Sequence, residues 1–295
     1  MSVSIRDVTP RLLFQAVPAE TGVKVELVNR LVDAGLRNVE VSSFVSRDRV
    51  PLLADAENVF TGIDRVEGVS YECCVASSEG VRRASDAGVS KAWYLLSLDQ
   101  EFGRQNAGRG TAADLDRLAE IVELALDLKV NLGTYIIGSF GGPGGIVSTT
   151  AFDRFLTQLE QAGAGEWIVA DSFGFASPND VAARLPHVLS RKPQGLVRLQ
   201  IHDTQGMGLA NVAAALRLGV RGFDVSVAGT GGHPMIADTN LGAVCSEDLV
   251  NMMRLMGYET GIDLPKLLDI ANWLASLDGV DARGFVRRSR CRLSS

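Results

Sequence analysis

The chain has 295 residues, 46% of them hydrophobic and 22% charged, with a formal charge of −6. That balance is the composition of an ordinary soluble globular protein, and its excess of acid argues against a nucleic-acid or anionic-membrane partner. Cys73 and Cys74 are adjacent among only four cysteines, so no disulfide framework is expected and a reducing compartment suits the chain. No apolar run reaches spanning length, and "MSVSIRDV" lacks a basic region followed by an apolar one, so a cytoplasmic location without a signal peptide is expected.

In chain order, one local pattern recurs. "LVDAGLRNVEVSS", "ASDAGVSKAWYLLSL", "LEQAGAGEWIVADS" and "LRLGVRGFDVSVAG" each run from a helical end through a glycine into an apolar strand. Glycine closes a helix in the left-handed conformation without steric cost, and a strand apolar on both faces is a parallel strand covered on both sides. The repeat predicts strands near 3–9, 38–44, 69–75, 91–97, 131–139, 167–172, 197–203 and 222–228. Helical periodicity falls at 20–34, 112–127 and 150–162, and "SPNDVAARLPHVLSR" opens with a cap signal. "DLPKLLDIANWLASL" supplies one further helix after the eighth unit. The pattern predicts a single (β/α)8 barrel over residues 1–284, with an open doubly wound sheet as the alternative, and a basic, flexible tail over 285–295.

A barrel places its site at the C-terminal ends of the strands, which turns the sequence into a short list. Arg11 follows strand 1 in "RDVTPRLLFQAVP", read as a strand running into a loop. A buried arginine needs an anion: Glu40 on the neighbouring strand as a structural partner, a substrate carboxylate or enolate, or both at once. Ser43 ends strand 2, Asp171 strand 6, and His202–Asp203 strand 7. His233 lies in the Gly-rich stretch "AGTGGHPMIADTN", read as a mobile loop after strand 8; His187 sits mid-helix and reads as structural. None of the five lysines falls at the catalytic rim, which disfavours a Schiff-base mechanism. "GGPGG" lacks the lysine of a phosphate loop and reads as a flexible connection after strand 5. Cys73 and Cys74 read as core packing on opposite faces of strand 3.

These stretches resemble 3-hydroxy-3-methylglutaryl-CoA lyase and, more distantly, the isopropylmalate and citramalate synthases, a family of metal-dependent TIM barrels. The resemblance runs from "IRDVTPRLLFQ" to "TGIDLPKLLDIANWL", and is carried most specifically by "VEVSSFVSRDRVPLLAD", "HDTQGMGLANVAAALRLGV", "DVSVAGTGGHP" and "SEDLVNMMRLMG". It implies that Arg11 polarises a substrate carbonyl, that Gln15, Glu40, Ser43 and Asp171 line the pocket, and that His233 stands where the family has a cysteine. It also implies a divalent cation held by an aspartate, two histidines and an asparagine. Here the aspartate position is Leu12, with Leu13 at the glycine after it; the first histidine is Gln200, and only His202 matches the second. The asparagine falls near Ala243, with Asn240 close by. Leucine cannot coordinate, so the ordinary cation site is expected to be absent and no cofactor is expected; a site rebuilt from His202 with Asp7 or His233 is the variant.

The resemblance therefore points to a carbon–carbon lyase of aldolase or Claisen type acting on a small carboxylic acid or acyl thioester. Arg11, His233 and Glu40 form the expected catalytic set; Gln15, Ser43, Asp171 and His202 bind substrate. The alternative is a non-catalytic relative that binds an acidic metabolite or a protein partner. "SLDGVDARG" lacks the basic character of the corresponding lyase segment, so coenzyme A use is not indicated there. A homo-oligomer, a dimer, is expected.

Overall fold

The computed structural model describes residues 2–108, 110–232 and 242–289. Strands β1 (Ser4–Asp7), β2 (Asn38–Phe44), β3 (Ser70–Val75), β4 (Lys91–Ser97), β5 (Asn131–Ile137), β6 (Trp167–Asp171), β7 (Val197–Ile201) and β8 (Gly222–Val225) pair in chain order and close on themselves. The closing ladder runs parallel from Ser4↔Gly222 to Asp7↔Val225, which excludes the open sheet. The glycines that suggested the repeat behave as proposed: Gly35, Gly88, Gly163 and Gly219 take φ of 99°, 72°, 80° and 93° at helix ends.

Helices Thr21–Asp33, Ala56–Gly62, Ser78–Asp86, Thr111–Asp127, Thr149–Gln161, Pro178–Leu189, Gly208–Arg217 and Ser246–Leu255 surround the sheet. The "SPND" signal is a capping box: the Ser177 hydroxyl accepts from the Asp180 N–H while the Asp180 carboxylate accepts from the Ser177 N–H. Leu264–Leu274 is the further helix. Of the predicted basic tail, Phe285–Arg288 forms one helical turn whose leading N–H groups are accepted by Asp248, 2.8 Å from Phe285 and 2.7 Å from Val286. Residues 290–295 lie outside the described part. Among the described residues no helix is long and apolar enough to cross a membrane.

Strand alternation separates two interiors. Residues such as Leu199, Ile201, Phe223 and Val225 face the helices and join the large core between the layers. Cys74, Trp93, Tyr135, Ile168 and Ala170 face inward and form a second cluster with Phe102 and Phe173. Trp93 fills the barrel axis so fully that a β-carbon on its register partner Gly133 would collide with the indole.

The inward face also carries charge. Glu40 and Glu72 are in register on β2 and β3, and Arg6 is in register with Asp224 across the β1–β8 seam. Arg6 is wholly buried and divides its guanidinium among all three carboxylates: Nε to Glu72 at 2.7 Å, Nη1 to Asp224 and Nη2 to Glu40. Its plane also stacks over Trp93, 4.9 Å from the ring centre. Trp93 Nε1 donates to Glu72 at 2.5 Å, and Arg198 Nε to Asp224 at 2.8 Å. Arg6, Arg11 and Arg198 thereby balance Glu40, Glu72 and Asp224 one for one.

Breaking a buried charge group by removing one partner leaves uncompensated charge and costs about 3–5 kcal/mol. Arg6→Met is expected to lower the unfolding free energy by at least that much in urea titration. Arg6→Lys should recover only a minor part, because one ammonium cannot span three carboxylates. A loss below about 1 kcal/mol for Arg6→Met would show that the network is dispensable.

Candidate functional site

The reading of residues 6–18 as a strand running into a loop needs correction. β1 stops at Asp7, and Thr9–Phe14 is a six-residue helix with Pro10 in its first turn, where a missing N–H is harmless and the fixed φ suits the helix. Six residues are too few to show a helical period, which is why the element is not visible in the sequence. Arg11 is therefore presented from a helix over the barrel mouth.

Arg11 meets Glu40 as proposed: its Nε donates to Glu40 Oε1. Glu40 takes Arg6 on its other oxygen and the Cys74 thiol at 2.9 Å. Burial acts to raise the Glu40 pKa, but Arg11 and Arg6 outweigh it and hold the carboxyl below its ordinary value. A carboxylate so held is a poor proton acceptor near neutrality; it fixes the orientation of Arg11. The Arg11 side chain stays 11% exposed, its outer nitrogens make no hydrogen bond among the described residues, and its guanidinium sits 5.9 Å from the Tyr135 ring centre.

Gln15, at the end of the same helix, donates through Nε2 to the Gly232 carbonyl at 2.5 Å. Gly231 bridges to Gly242, so the segment between them leaves from and returns to one pinned stem. His233 directly follows that stem and lies outside the described residues, as do the rest of the stretch read as a mobile loop and Asn240. Ser43 Oγ reaches the Cys74 carbonyl at 3.3 Å. Asp171 accepts the Phe175 and Ala176 N–H groups at 3.0 Å each, so its carboxylate orders the turn after β6. His202 is buried, with Nδ1 2.9 Å from the Asp171 carbonyl. A carbonyl only accepts, so Nδ1 donates the hydrogen in this contact. "GGPGG" is pinned rather than flexible: Gly142 and Gly145 bridge each other, and Asp99 accepts the Gly144 N–H at 2.7 Å.

The cation implied by the resemblance can be tested against its own ligand positions. Ala243 forms a backbone bridge with His202, which places it beside the retained histidine. Ala243 then packs with Leu12 and Val8 in a small apolar cluster, all three buried. Two ligand positions thus touch each other as hydrocarbon. Asp7, the candidate for a rebuilt site, has both oxygens engaged, by the Thr9 N–H at 2.9 Å and the Ser246 hydroxyl at 2.7 Å. No group of three or more His, Cys, Asp or Glu side chains among the described residues is arranged to hold a metal. Leu12, Gln200 and Ala243 do not fit a hard dication.

Sequence reasoning overlooked three participants: Arg6, Tyr135 and Gln200 in any role besides a lost ligand. The available signal was polar residues at alternate positions of otherwise apolar strands, which in a closed barrel all point inward.

A closed eight-stranded barrel with an anchored arginine and a histidine at its C-terminal rim is a TIM barrel of enzyme type. The chain belongs to the HMGL-like family, whose model matches residues 2–274. It is 33% identical over 275 residues to a Bacillus subtilis hydroxymethylglutaryl-CoA lyase, covering 92% of each chain. To the (R)-citramalyl-CoA lyase of Chloroflexus aurantiacus it is 33% identical over 294 residues, covering 94% of this chain and 92% of that one. Among solved structures, an Acinetobacter baumannii HMG-CoA lyase in complex with coenzyme A and 3-methylmalate aligns with a TM-score of 0.94 at 31% identity, covering 100% of this chain and 97% of the other.

Burial pushes Asp7 and Asp171 up to about 6, against hydrogen bonds that partly oppose it. A carboxyl whose folded value lies above its unfolded value of 3.8 binds its proton more tightly when folded. Its contribution is complete below about pH 4 and is lost as pH rises through about 6. Each such rise corresponds to roughly 3 kcal/mol. Thermal stability is expected to fall between pH 4 and 7, and Asp7→Asn should flatten that fall by about a third, because burial also pushes Glu247 up to about 7. A melting temperature that climbs over this range in wild type would contradict the assignment.

Proposed function

We propose that this chain is a carbon–carbon lyase acting on a small acidic acyl-CoA thioester, with Arg11 receiving the charge that relatives of this family assign to a divalent cation. The observation that carries the reading is the pairing of Arg11, locked by Glu40 with its outer nitrogens at the mouth, with hydrocarbon at Leu12 and Ala243. The lyases similar to this chain support the reaction class, and the relative solved with coenzyme A supports a thioester over a free acid.

In the cleavage direction, a base takes the proton of the substrate hydroxyl and the oxygen becomes a carbonyl. The bond between that carbon and the neighbouring one breaks, and its electron pair passes onto the thioester as an enolate. Arg11 donates hydrogen bonds to the enolate oxygen, where fixed donors act only as charge develops. A proton returned to carbon completes the product. His233, following the pinned stem at Gly232, is the residue we assign to that proton, and His202 stands at the rim as the second histidine. Glu40 and Gln15 position Arg11 and the stem; Ser43 and Asp171 shape the wall.

The test is mass spectrometry of a thioester panel, including hydroxymethylglutaryl-CoA and citramalyl-CoA, with and without chelator. Turnover insensitive to chelation is expected; turnover abolished by chelator and restored by a dication would overturn the cation-free reading. Absence of turnover across the panel would favour the binding-protein alternative. His233→Ala is expected to lower kcat about 10²-fold with KM little changed. Unaltered kinetics would remove it from the mechanism.

The ligand positions offer a converse experiment. Restoring Leu12→Asp, Gln200→His and Ala243→Asn together should make the melting temperature rise with added Mg²⁺ or Mn²⁺, since a ligand bound only by the folded state stabilises it. Wild type should show no such rise. A wild-type response equal to that of the triple variant would show that a cation site exists already.

A further inference from the structure

We propose that the Tyr135 hydroxyl and the Gln200 side-chain amide are substrate-binding donors, which together with Arg11 form a recognition site for an anionic oxygen inside the barrel mouth. The inference rests on the lyase reading only for which oxygen is bound; the site itself is argued from unpaired donors.

Both side chains face the interior. Leu199 and Ile201 flank Gln200 and belong to the core beneath the helices, so Gln200 projects to the other side of β7. Its register partners are Ala170 on β6 and Asp224 on β8. Tyr135 packs in the inner cluster with Ala170, Ile168 and Trp93. Its phenol lies within electrostatic reach of Arg11, Glu40, Asp224 and Arg6.

Each is about 2% exposed, and each carries a buried polar atom with no hydrogen-bond partner: Tyr135 Oη and Gln200 Nε2. Groups of this kind are normally paired in a native protein, and an exception asks for a reason. Seven other buried side-chain atoms among the described residues also lack a partner, but in the lumen Arg6, Glu40, Glu72, Cys74, Trp93 and Asp224 form one bonded network beside these two.

The chemistry of the missing partner follows from the donors. An amide N–H can only donate. Burial holds the phenol well above its ordinary pKa, so it keeps its proton throughout the working range. The outer Arg11 nitrogens are donors too, with no acceptor beside them among the described residues. Three such donors select a carboxylate or enolate oxygen and reject a cation. Gln200 thus stands at a position where the family has a histidine ligand and presents an N–H instead.

Tyr135→Phe and Gln200→Met each remove an unpaired donor while keeping the volume filled. Calorimetric titration with oxalate, an enolate-shaped dianion, and with 3-methylmalate is expected to show at least tenfold weaker binding to each variant. The kcat/KM on the thioester panel should fall about 10- to 10²-fold. Melting temperatures should hold or rise, because neither atom makes a bond in the free protein; a purely structural role predicts the reverse pattern. Wild type that cleaves a thioester no better than both variants overturns the donor assignment alone. Wild type that cleaves none, yet loses oxalate affinity on both substitutions, overturns the lyase reading alone. If wild type binds neither acid, the donor site is refuted whatever the turnover.

Discussion

One guanidinium holds the centre of this barrel. Arg6 lies between Glu40, Glu72 and Asp224, drawn from three different strands, and Glu40 and Glu72 stand side by side in register. Two like charges so placed in a dry interior repel strongly unless a cation with several directed donors sits between them. Arginine meets that need with a planar fork, and Trp93 closes the face of the fork that no carboxylate covers. The site inherits its rigidity from this arrangement. Glu40 can hold Arg11 on one oxygen because Arg6 holds its other.

The rim above has been rewritten in a consistent direction. Where the family places acceptor ligands around a cation, this chain places hydrocarbon at Leu12 and Ala243 and an amide at Gln200. Arg11 carries positive charge at the mouth, secured by Glu40 against the cost of burial. A guanidinium offers directional hydrogen bonds instead of coordination, and its charge does not depend on metal supply or on pH in any working range.

Much of this was legible in the sequence, for identifiable reasons. The repeat was visible because β2, β4, β6 and β8 are each preceded by a glycine at a helix end and read as largely apolar runs, a pattern set by neighbours in the chain. Arg11 and Glu40 were found as partners because Arg11 follows β1 within a few residues and Glu40 lies on the adjacent β2. Other features depend on residues far apart. Arg6 and Asp224 are 218 positions apart, and nothing local distinguishes their charges from solvated ones. The Asp7 carboxylate looked available until Ser246, 239 residues on, supplied its hydrogen bond. The orphan atoms of Tyr135 and Gln200 are legible only from coordinates, because lacking a partner is a property of the surroundings.

The β1–β8 seam has a consequence for how the chain reaches this state. Arg6 leaves the ribosome well before Asp224, which follows only after six further strands have been made. During that interval the nascent chain holds a guanidinium with two of its three acceptors and an open sheet edge waiting for its last strand. Contacts that span nearly the whole length make closure slow to nucleate and indivisible once begun. The barrel is thus assembled as a single cooperative unit, with its electrostatic centre completed by the last strand to arrive.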